Sequence, residues 1–368
     1  MTAILEMADE FGPEKVVHIT DASSRLRAIA VIDNTAIGPS IGGVRMASDV
    51  SLEECARLAR AMTRKNAAAG LPHGGGKSAI LADPAMPLPD KERLIRAFAQ
   101  AISQLSDYIP GPDMGTNEIC MAWIHDEIGR AVGLPPVVGG IPLDDIGATG
   151  YGIAVAAAVA EPFSGVALEG AGVAIQGYGA VGRNSARFLA RKGARIVAIA
   201  DSRGTALCPD GFDLSHLDTL KAAGKSVTDY SGAVLADRDA VITAQCDILI
   251  PAARPDIIDQ TNAADIKARL IIEGANIPAT LAAERDLHER GVLVIPDFIA
   301  NAGGVICASV EYHGGTQTQA MAMIAEKIQI NTQELLSQVH NHGALPRDAA
   351  NALAENRLRK AMELRRKF

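Results

Sequence analysis

One stretch decides the fold of this chain: Val173-Ala174-Ile175-Gln176-Gly177-Tyr178-Gly179-Ala180-Val181-Gly182. Its first four residues are mostly apolar and predict a short strand, and the residues after it continue as a helical stretch. Between strand and helix, the glycines form the pattern G-x-G-x-x-G. This pattern supplies a tight turn, a close backbone approach to a pyrophosphate and close packing of helix on strand. The stretch therefore predicts a dinucleotide-binding unit.

The sequence that follows supports the same unit. A second apolar run, Arg195–Ala200, leads into Asp201, about 20 residues beyond the last glycine, where an acid that binds the ribose hydroxyls is expected. Further apolar runs at 248–250, 270–272 and 292–295 alternate with helical stretches, which predicts an α/β fold with a doubly wound parallel sheet. Asp201 favours NAD as the cofactor, whereas Arg203 could accept the 2′-phosphate of NADP. The predicted cofactor-binding residues here are Gly177, Gly179, Ala180, Val181, Gly182, Asp201 and Ser202.

A second glycine-rich stretch lies far upstream: Leu71-Pro72-His73-Gly74-Gly75-Gly76-Lys77-Ser78. Its three consecutive glycines leave bare backbone beside Lys77, so a small molecule could lie against the main chain next to that amine. One interpretation is a phosphate loop, but the pattern G-x-x-x-x-G-K-[ST] requires glycine where Leu71 stands. The other interpretation is a glycine-lined pocket around a catalytic lysine.

Two more charged residues are candidates for this pocket. A helix is predicted from Ser51, which forms a capping box with Glu54, and Lys65 falls on its apolar stripe. The predicted stripe consists of Cys55, Leu58, Met62 and Ala69. Lys65 either meets an anion there or snorkels to the surface, and the helix alone leaves both open. Asp113, which follows prolines at 110 and 112, is either a helix cap or an acid/base near two lysines.

Two asparagines follow predicted strands of the dinucleotide-binding unit. Asn276 ends the segment 273–276, and Asn301 lies in the segment 296–304. Ligands bind beyond the carboxyl ends of parallel strands, so both are candidates to face the cofactor or the substrate. The alternative for each is a loop asparagine that bonds its own backbone.

The composition is that of an ordinary globular protein and limits its partners. Of 368 residues, 48% are hydrophobic and 21% are charged. The formal net charge of −8 argues against nucleic acid as a partner, and no apolar run is long enough to cross a membrane. The 5 widely spaced cysteines favour reduced thiols in a cytoplasmic protein, and their spacing predicts no metal site.

The length favours two domains, and a segment rich in proline and glycine at 133–147 predicts a hinge between them. Residues 1–135 are expected to form a substrate-binding and oligomerisation domain, and residues 145–325 the dinucleotide-binding domain. The helical C-terminal part, about 330–368, is expected to pack back on the first domain.

These motifs together resemble the glutamate/leucine/phenylalanine/valine dehydrogenase family. The resemblance rests on residues 42–46, 62–66, 71–84, 112–113, 148–150, 177–182, 274–276 and 301–304. It implies NAD(P)-dependent oxidative deamination of an L-amino acid, reversible from the 2-oxo acid and ammonia. It also implies a homo-oligomer whose catalytic cleft lies between an N-terminal α/β domain and a Rossmann domain.

The family's functional residues transfer to matching positions of this sequence. Lys77 would polarise the carbonyl and activate the attacking water, and Asp113 would carry protons to and from the amino group. Lys65 would pair with the substrate α-carboxylate, helped by the backbone of Gly42 and Gly43. The remaining implied contacts are Thr149 and Asn301 to the cofactor, Asn276 to cofactor and substrate, and Val305 to the substrate.

The substrate side chain is where the sequence departs from the glutamate enzymes. Those enzymes carry lysine before the Gly-Gly pair and serine after Ala-Gly-Gly-Val, whereas this chain has Ile41 and Ala308. Neither residue can bind a carboxylate, and the small Ala308 and Gly111 leave room for a bulky side chain, so an apolar amino acid is predicted. Two alternatives remain: a glutamate enzyme with Arg45 as a relocated partner, and a non-catalytic NAD-binding protein on the same scaffold.

Overall fold

The structure is a computed structural model that describes residues 6–365. Within that range the chain forms two compact units. Unit 1 contains the residues up to Leu143 together with 305–320 and the residues from 353 on, and unit 2 contains 144–304 and 321–352. The boundary after Leu143 lies within the segment 133–147 that the sequence suggests as a hinge. The C-terminal part of the chain is divided differently from the expected bounds of 145–325 and 330–368. Residues 305–320 belong to unit 1 and residues 321–352 to unit 2, so the boundaries between the units fall inside helices.

Unit 1 is built on a five-stranded sheet. Its strands are β1 (Lys15–Asp21), β2 (Leu26–Asn34), β3 (Ser40–Ala47), β4 (Gly74–Leu81) and β5 (Tyr108–Pro112), in the order β1-β2-β4-β3-β5. The pairs β1–β2 and β2–β4 are antiparallel, and β3 lies parallel to both β4 and β5.

Helices cover both faces of this sheet. They are α1 (Leu52–Ala68), α2 (Leu88–Ala101) and α3 (Glu118–Ile128). The larger core contains Ile80 of β4 with Phe98 of α2 and Ile124 of α3, all fully buried. On the other face, Cys55 and Ala59 of α1 form a smaller cluster with strand residues. The predicted start of α1 is confirmed, since the Ser51 hydroxyl accepts a hydrogen bond from the Glu54 N–H at 3.1 Å.

Unit 2 is built on a seven-stranded sheet. Its strands are β6 (Gly172–Gln176), β7 (Arg195–Ala200), β8 (Thr205–Leu207), β9 (Val234–Ala236), β10 (Ile248–Pro251), β11 (Leu270–Ile272) and β12 (Leu293–Ile295). The order is β12-β11-β10-β6-β7-β8-β9. The first five strands are mutually parallel, β8 pairs antiparallel with β7, and β9 pairs antiparallel with β8. The predicted parallel sheet is confirmed. Because β7 and β10 flank β6 on opposite sides, the winding direction reverses at β6, where α/β sheets bind ligands.

Eight helices follow α3 among the described residues. They are α4 (Ala148–Ser164), α5 (Ala180–Ala190), α6 (Leu214–Ala222), α7 (Leu281–Glu289), α8 (Asp297–Ala300), α9 (Gly303–Tyr312), α10 (Gln317–His342) and α11 (Pro346–Glu363). A core of strand residues such as Leu249 and Ile271 with Leu287 of α7 holds unit 2 together. Across residues 6–365, no helix combines the length and apolar character needed to cross a membrane.

Candidate functional site

The glycine–lysine stretch is a strand rather than a loop. Gly74, Gly75, Gly76 and Lys77 lie in β4 and pair with β2 and β3 on either side. Their backbone N–H groups therefore belong to a sheet, and the phosphate-loop interpretation is wrong. The expectation that these glycines expose backbone to a ligand is also wrong. An added Cβ would lie 2.0 Å from the backbone nitrogen of Thr63 at Gly75 and 3.0 Å from the Tyr108 ring at Gly76.

The register of the three parallel strands places the candidate catalytic residues on one face. Ile41 of β3 pairs with Gly75 and with Ile109, and Arg45 pairs with Ala79. Since side chains alternate along a strand, Ile41, Gly43 and Arg45 share a face with Lys77 of β4 and with Ile109 and Asp113, which continues the alternation just past the end of β5. Gly43 stands in the middle of this face and carries no side chain.

Lys77 and Asp113 meet across Gly43. The Lys77 ammonium forms an ion pair with the Asp113 carboxylate. An added Cβ at Gly43 would lie 2.8 Å from Asp113 Cβ and 3.1 Å from Lys77 Nζ. Glycine at this position is therefore required for the contact between the two charged side chains.

Asp113 is held as a carboxylate. Burial by itself raises the pKa of Asp113, but the charge and hydrogen bond of Lys77, the Met114 N–H and the charge of Arg45 together lower the pKa below its usual value. Arg45 Nε lies 3.3 Å from Asp113 Oδ2, and its Nη1 lies 2.5 Å from Glu54 Oε1. Arg45 is thus engaged by two carboxylates on the sheet face.

Helix α1 buries only part of the predicted stripe, since Cys55 and Ala69 are buried but the two residues between them are not. Its buried residues include Cys55, Ala59, Thr63 and Asn66, whereas Leu58 and Met62 are half-buried. The cause is Gly75, because the absence of a side chain lets Thr63 approach β4 closely. Lys65, in the last turn of α1, is consequently half-buried rather than enclosed in a core.

Apolar side chains cluster at the amino end of the same sheet face. Ile41, Ile109, Val132 and Ala308 form a hydrophobic cluster, and none of them is more than 9% exposed. The sequence suggests that Gly111 leaves room for a substrate side chain, but the space is already filled. An added Cβ at Gly111 would lie 3.1 Å from Val132 Cγ2. Val305, one turn before Ala308 on α9, is half-buried.

Polar contacts hold the Ala308 segment of α9 in place. His73 Nδ1 lies 3.2 Å from Pro39 O, and its Nε2 lies 3.1 Å from Ser309 Oγ. Burial lowers the pKa of His73 to about 4, so the neutral ring donates to the carbonyl and accepts from the hydroxyl. One turn further, Glu311 accepts hydrogen bonds from the N–H groups of Leu134 and Ile141. The position of Ala308 is therefore defined on both sides.

In unit 2, the three fingerprint glycines have three separate reasons to be glycine. Gly177 follows β6 with a φ of 96°, and an added Cβ would lie 2.4 Å from Ala253 Cβ. An added Cβ at Gly182 would lie 1.9 Å from Gly177 O, which allows α5 to pack on the turn. At Gly179, the N-cap of α5, an added Cβ would meet no described atom within 4 Å. Open space before an uncapped helix N-terminus is what a pyrophosphate requires.

A cavity of about 400 Å³ lies at the carboxyl ends of β6 and β7. It is lined by Gln176, Gly177, Tyr178, Gly179, Ala200, Asp201, Ser202, Lys221, Arg238, Ala253 and Arg254. The predicted residues Gly177, Gly179, Asp201 and Ser202 are thus brought together. Ala253 and Arg254 were missed by the sequence reasoning, although their place directly after β10 at the switch in winding direction would have indicated them.

Asp201 lies where an acid for the ribose is expected, but protein donors surround its carboxylate. Its Oδ1 accepts from Ser226 Oγ at 2.8 Å and from the Arg203 N–H at 3.0 Å. Its Oδ2 accepts from Lys221 Nζ at 3.1 Å and from the Val227 N–H at 3.0 Å. Burial raises the pKa of Asp201, and these donors more than offset it, so the pKa is lowered. Nothing in the sequence indicates Lys221 or Ser226 as partners.

The other candidate residues of unit 2 lie on adjoining segments. Thr149 is the second residue of α4, and an added Cβ at Gly304 would lie 3.3 Å from its Oγ1. Asn301 is buried, and its Nδ2 donates to Asn276 Oδ1 at 3.1 Å and to Gly274 O at 3.2 Å. Asn276 itself is exposed. In the described part of the chain, no group of three or more His, Cys, Asp and Glu residues could hold a metal ion.

Comparison with known families identifies this arrangement. The family model of the glutamate/leucine/phenylalanine/valine dehydrogenases matches residues 139–366, and the model of the Glu/Leu/Phe/Val dehydrogenase dimerisation domain matches residues 13–130. The chain belongs to this family. It is therefore an amino-acid dehydrogenase, an oxidoreductase.

Individual members of the family are similar over most of their length. The glutamate dehydrogenase of Aeropyrum pernix is 40% identical over 90% of this chain and 85% of that protein. Among solved structures, the hetero-hexameric glutamate dehydrogenase of Thermus thermophilus in a leucine-bound form has a TM-score of 0.85 at 28% identity, covering 97% of this chain and 91% of that one. The L-tryptophan dehydrogenase of Nostoc punctiforme has a TM-score of 0.76 at 25% identity, covering 97% and 99%.

Proposed function

We propose that this dehydrogenase oxidatively deaminates an apolar L-amino acid, aliphatic or aromatic, to its 2-oxo acid and ammonia. The observation that carries the proposal is the cluster of Ile41, Ile109, Val132 and Ala308, beside Lys77 and Asp113 on one sheet face. A substrate held at the charged pair would direct its side chain toward this cluster, which offers only hydrophobic contacts. The tryptophan dehydrogenase of similar structure acts on a substrate of this class.

Glutamate is the second candidate, because relatives up to 40% identical are named glutamate dehydrogenases. A glutamate side chain would bring a carboxylate to Ile41 and Ala308 with no partner there, which is strongly unfavourable. Arg45 is a poor replacement partner, since its guanidinium is bound by Glu54 and Asp113. These contacts favour the apolar substrate over the relocated-carboxylate alternative.

The residues of unit 1 suit the chemistry of deamination. Lys65 would pair with the substrate α-carboxylate beside the backbone of Gly42 and Gly43. Asp113, ionised in the resting site, would take a proton from the substrate amino group, because only a neutral amine can become an imine. Lys77 would polarise, with its ammonium, the water that attacks the imine carbon, and would stabilise the developing carbonyl oxygen as ammonia leaves.

NAD or NADP would occupy the turn and cavity of unit 2, and would accept the hydride from the substrate Cα. The open space at Gly179 and the cavity of about 400 Å³ fit a pyrophosphate and an adenosine. Thr149, Asn276 and Asn301 would orient the nicotinamide end. Relatives named NAD-specific and NADP-specific both occur, so the names of relatives do not separate the two cofactors.

A homo-oligomer in the cytoplasm completes the proposal. One matching family model, over residues 13–130, is that of a dimerisation domain, which supports assembly through the first domain, and a structural neighbour is hetero-hexameric. The 5 cysteines are free thiols, which supports a reducing compartment.

The test of the function is formation of NADH or NADPH with a panel of L-amino acids. We expect activity with leucine, valine, phenylalanine or tryptophan, and kcat/KM for glutamate lower by about 1,000-fold or more because its carboxylate lacks a partner. Activity confined to glutamate would overturn the apolar substrate and leave the dehydrogenase class intact. Absence of turnover with every amino acid, despite tight NADH binding, would instead support the non-catalytic alternative.

The contacts of Asp201 predict weak discrimination between the two cofactors. Four donors already occupy the Asp201 carboxylate, and Lys221 places a positive charge beside it. The carboxylate therefore repels the 2′-phosphate of NADP less than an aspartate without such partners would. Lys221→Ala should remove the positive charge and one of the two donors at Oδ2, leaving the Val227 N–H there, and should raise the ratio of kcat/KM for NAD to that for NADP by about tenfold. Lys225→Ala, an exposed lysine close by in the sequence, is the control. An unchanged ratio in the Lys221 variant would contradict this account of Asp201.

A further inference from the structure

A buried ionic cluster lies behind the Asn276 segment and has no part in the chemistry described above. Arg347 of α11 is 9% exposed and contacts three carboxylates, those of Glu273, Glu284 and Asp297. Its Nη1 lies 2.5 Å from Asp297 Oδ1, and its Nη2 lies 2.6 Å from both Glu273 Oε2 and Glu284 Oε1. Residues from the end of β11, from α7 and from the start of α8 are thereby tied to one guanidinium.

The cluster is costly, which indicates that it serves a purpose other than stability. Glu273 is completely buried, and burial together with its acidic neighbours raises its pKa well above the usual value despite Arg347. Its Oε1 lacks a hydrogen-bond partner among the described residues. Well-packed apolar side chains commonly stabilise a core as well as such a group of charges does.

The cluster reaches the site through Asp297. Asp297 Oδ1 binds Arg347, and its Oδ2 accepts a hydrogen bond from the Ile277 N–H at 2.9 Å. Its backbone carbonyl accepts from the Asn301 N–H at 2.7 Å. One aspartate therefore holds the residue after Asn276 and the residue whose side chain donates to Asn276.

Ile277 adopts a backbone conformation that its side chain disfavours. Its φ is 49°, in the left-handed region, which is strongly unfavourable for a β-branched residue. The Ile277 carbonyl is also fixed, because it accepts from the Asp256 N–H at 2.9 Å. Strained backbone next to a functional residue persists only where surrounding contacts hold it.

We propose that Arg347 and Asp297 are positioning residues that hold the strained turn at Ile277 and thereby orient the amides of Asn276 and Asn301. Arg347 fixes the rotamer of Asp297, and Asp297 supplies the acceptor that keeps Ile277 in the left-handed conformation. Without that acceptor, the turn relaxes and Asn276 leaves the position that the reaction requires. This inference rests on the proposed function, in which Asn276 lies near the nicotinamide and the substrate.

The test is a double-mutant cycle between Asp297→Asn and Ile277→Gly. Asp297→Asn removes one charge but keeps the shape, so the fold is retained, while an amide bound to Arg347 through its oxygen turns an NH₂ toward the Ile277 N–H. We expect kcat in Asp297→Asn to fall about 10- to 100-fold, as for a small misplacement of a functional group. In the Ile277→Gly background the same change should cost less than about threefold, because glycine adopts the left-handed conformation without help.

Two further variants separate positioning from stability. Arg347→Lys should keep more activity than Arg347→Gln, since a cation still reaches Asp297, and Ile277→Gly should also restore kcat to Arg347→Gln. Arg290→Gln is the matched control, because Arg290 bonds the carbonyls of Ala263 and Ile266 and has no described bond to Asp297 or Ile277. It should change the melting temperature without changing kcat.

The outcomes distinguish this inference from the function on which it rests. Equal loss of kcat from Asp297→Asn in the isoleucine and glycine backgrounds would overturn the inference, and so would a loss of melting temperature alone. A wild-type protein without activity on any amino acid would overturn the proposed function first.

Discussion

Replacing Lys77 by alanine is expected to lower kcat by about four orders of magnitude while leaving the dissociation constant of NADH unchanged. Lys77 is 7% exposed and ion-paired with Asp113, and both the attacking water and the carbonyl oxygen depend on its ammonium in the proposed reaction. The cofactor turn and cavity consist of unit 2 residues, so NADH binding has no direct need of this lysine. Stopped-flow turnover and NADH fluorescence titration measure the two quantities separately.

The variant should remain folded, because Arg45 stays beside Asp113 when the lysine is lost. Lys91→Ala serves as a control, since Lys91 lies on α2 and donates to the Pro84 carbonyl at 3.0 Å. A Lys77→Ala protein that keeps more than about a tenth of its activity would remove the lysine from the chemistry. A loss of NADH affinity would instead assign the residue to cofactor binding.

The double variant I41K/A308S is expected to raise kcat/KM for L-glutamate by about 100-fold and to lower it for L-leucine by a similar factor. The introduced ammonium and hydroxyl would pair with a side-chain carboxylate that has no partner in the wild-type cluster. The same two groups would be left without partners by leucine, and an unpaired buried charge is strongly unfavourable. Steady-state kinetics with both amino acids gives the ratio directly.

The introduced cation would be buried beside Ile109 and Val132, which destabilises the folded state. The melting temperature of the double variant is therefore measured together with its kinetics. Ala308→Ser alone adds a hydroxyl without a charge and should raise kcat/KM for L-glutamate modestly. Ile41→Met keeps the apolar character and volume, and its substrate preference should stay apolar. If the double variant folds and its kcat/KM for L-glutamate is no higher than that of the wild type, the cluster is not the pocket for the substrate side chain.

Part of the site could be read from local patterns. The strand, the turn at Gly177 and the start of α5 depend on residues adjacent in sequence. Gly182 packs against Gly177 O within the same strand–turn–helix unit, and Gly179 faces open space. Ser51 as the cap of α1 is equally local. Such features depend on short-range sterics and hydrogen bonds, which a sequence pattern records directly.

Other features could not be read because they depend on partners far apart in the sequence. Gly75 looks like a loop residue until Thr63 is found against it, and the stripe predicted for α1 is only partly buried for the same reason. Gly111 looks like spare volume until Val132 is placed beside it. Asp201 looks like a free ribose acceptor, whereas Lys221 and Ser226 fill its lone pairs.

The sequence alone indicated the family and the α/β fold and predicted the cofactor turn and the catalytic roles of Lys77 and Asp113, because motif order and hydrophobic periodicity are carried by the chain itself. The tertiary structure decided how those residues act together. Only the parallel register of β4, β3 and β5 places Lys77 and Asp113 on opposite sides of Gly43, in contact over a missing side chain. Only the packing of α11 brings Arg347 to Asp297 behind the turn at Ile277. Contacts of this kind depend on close packing between distant segments, and no local pattern encodes them.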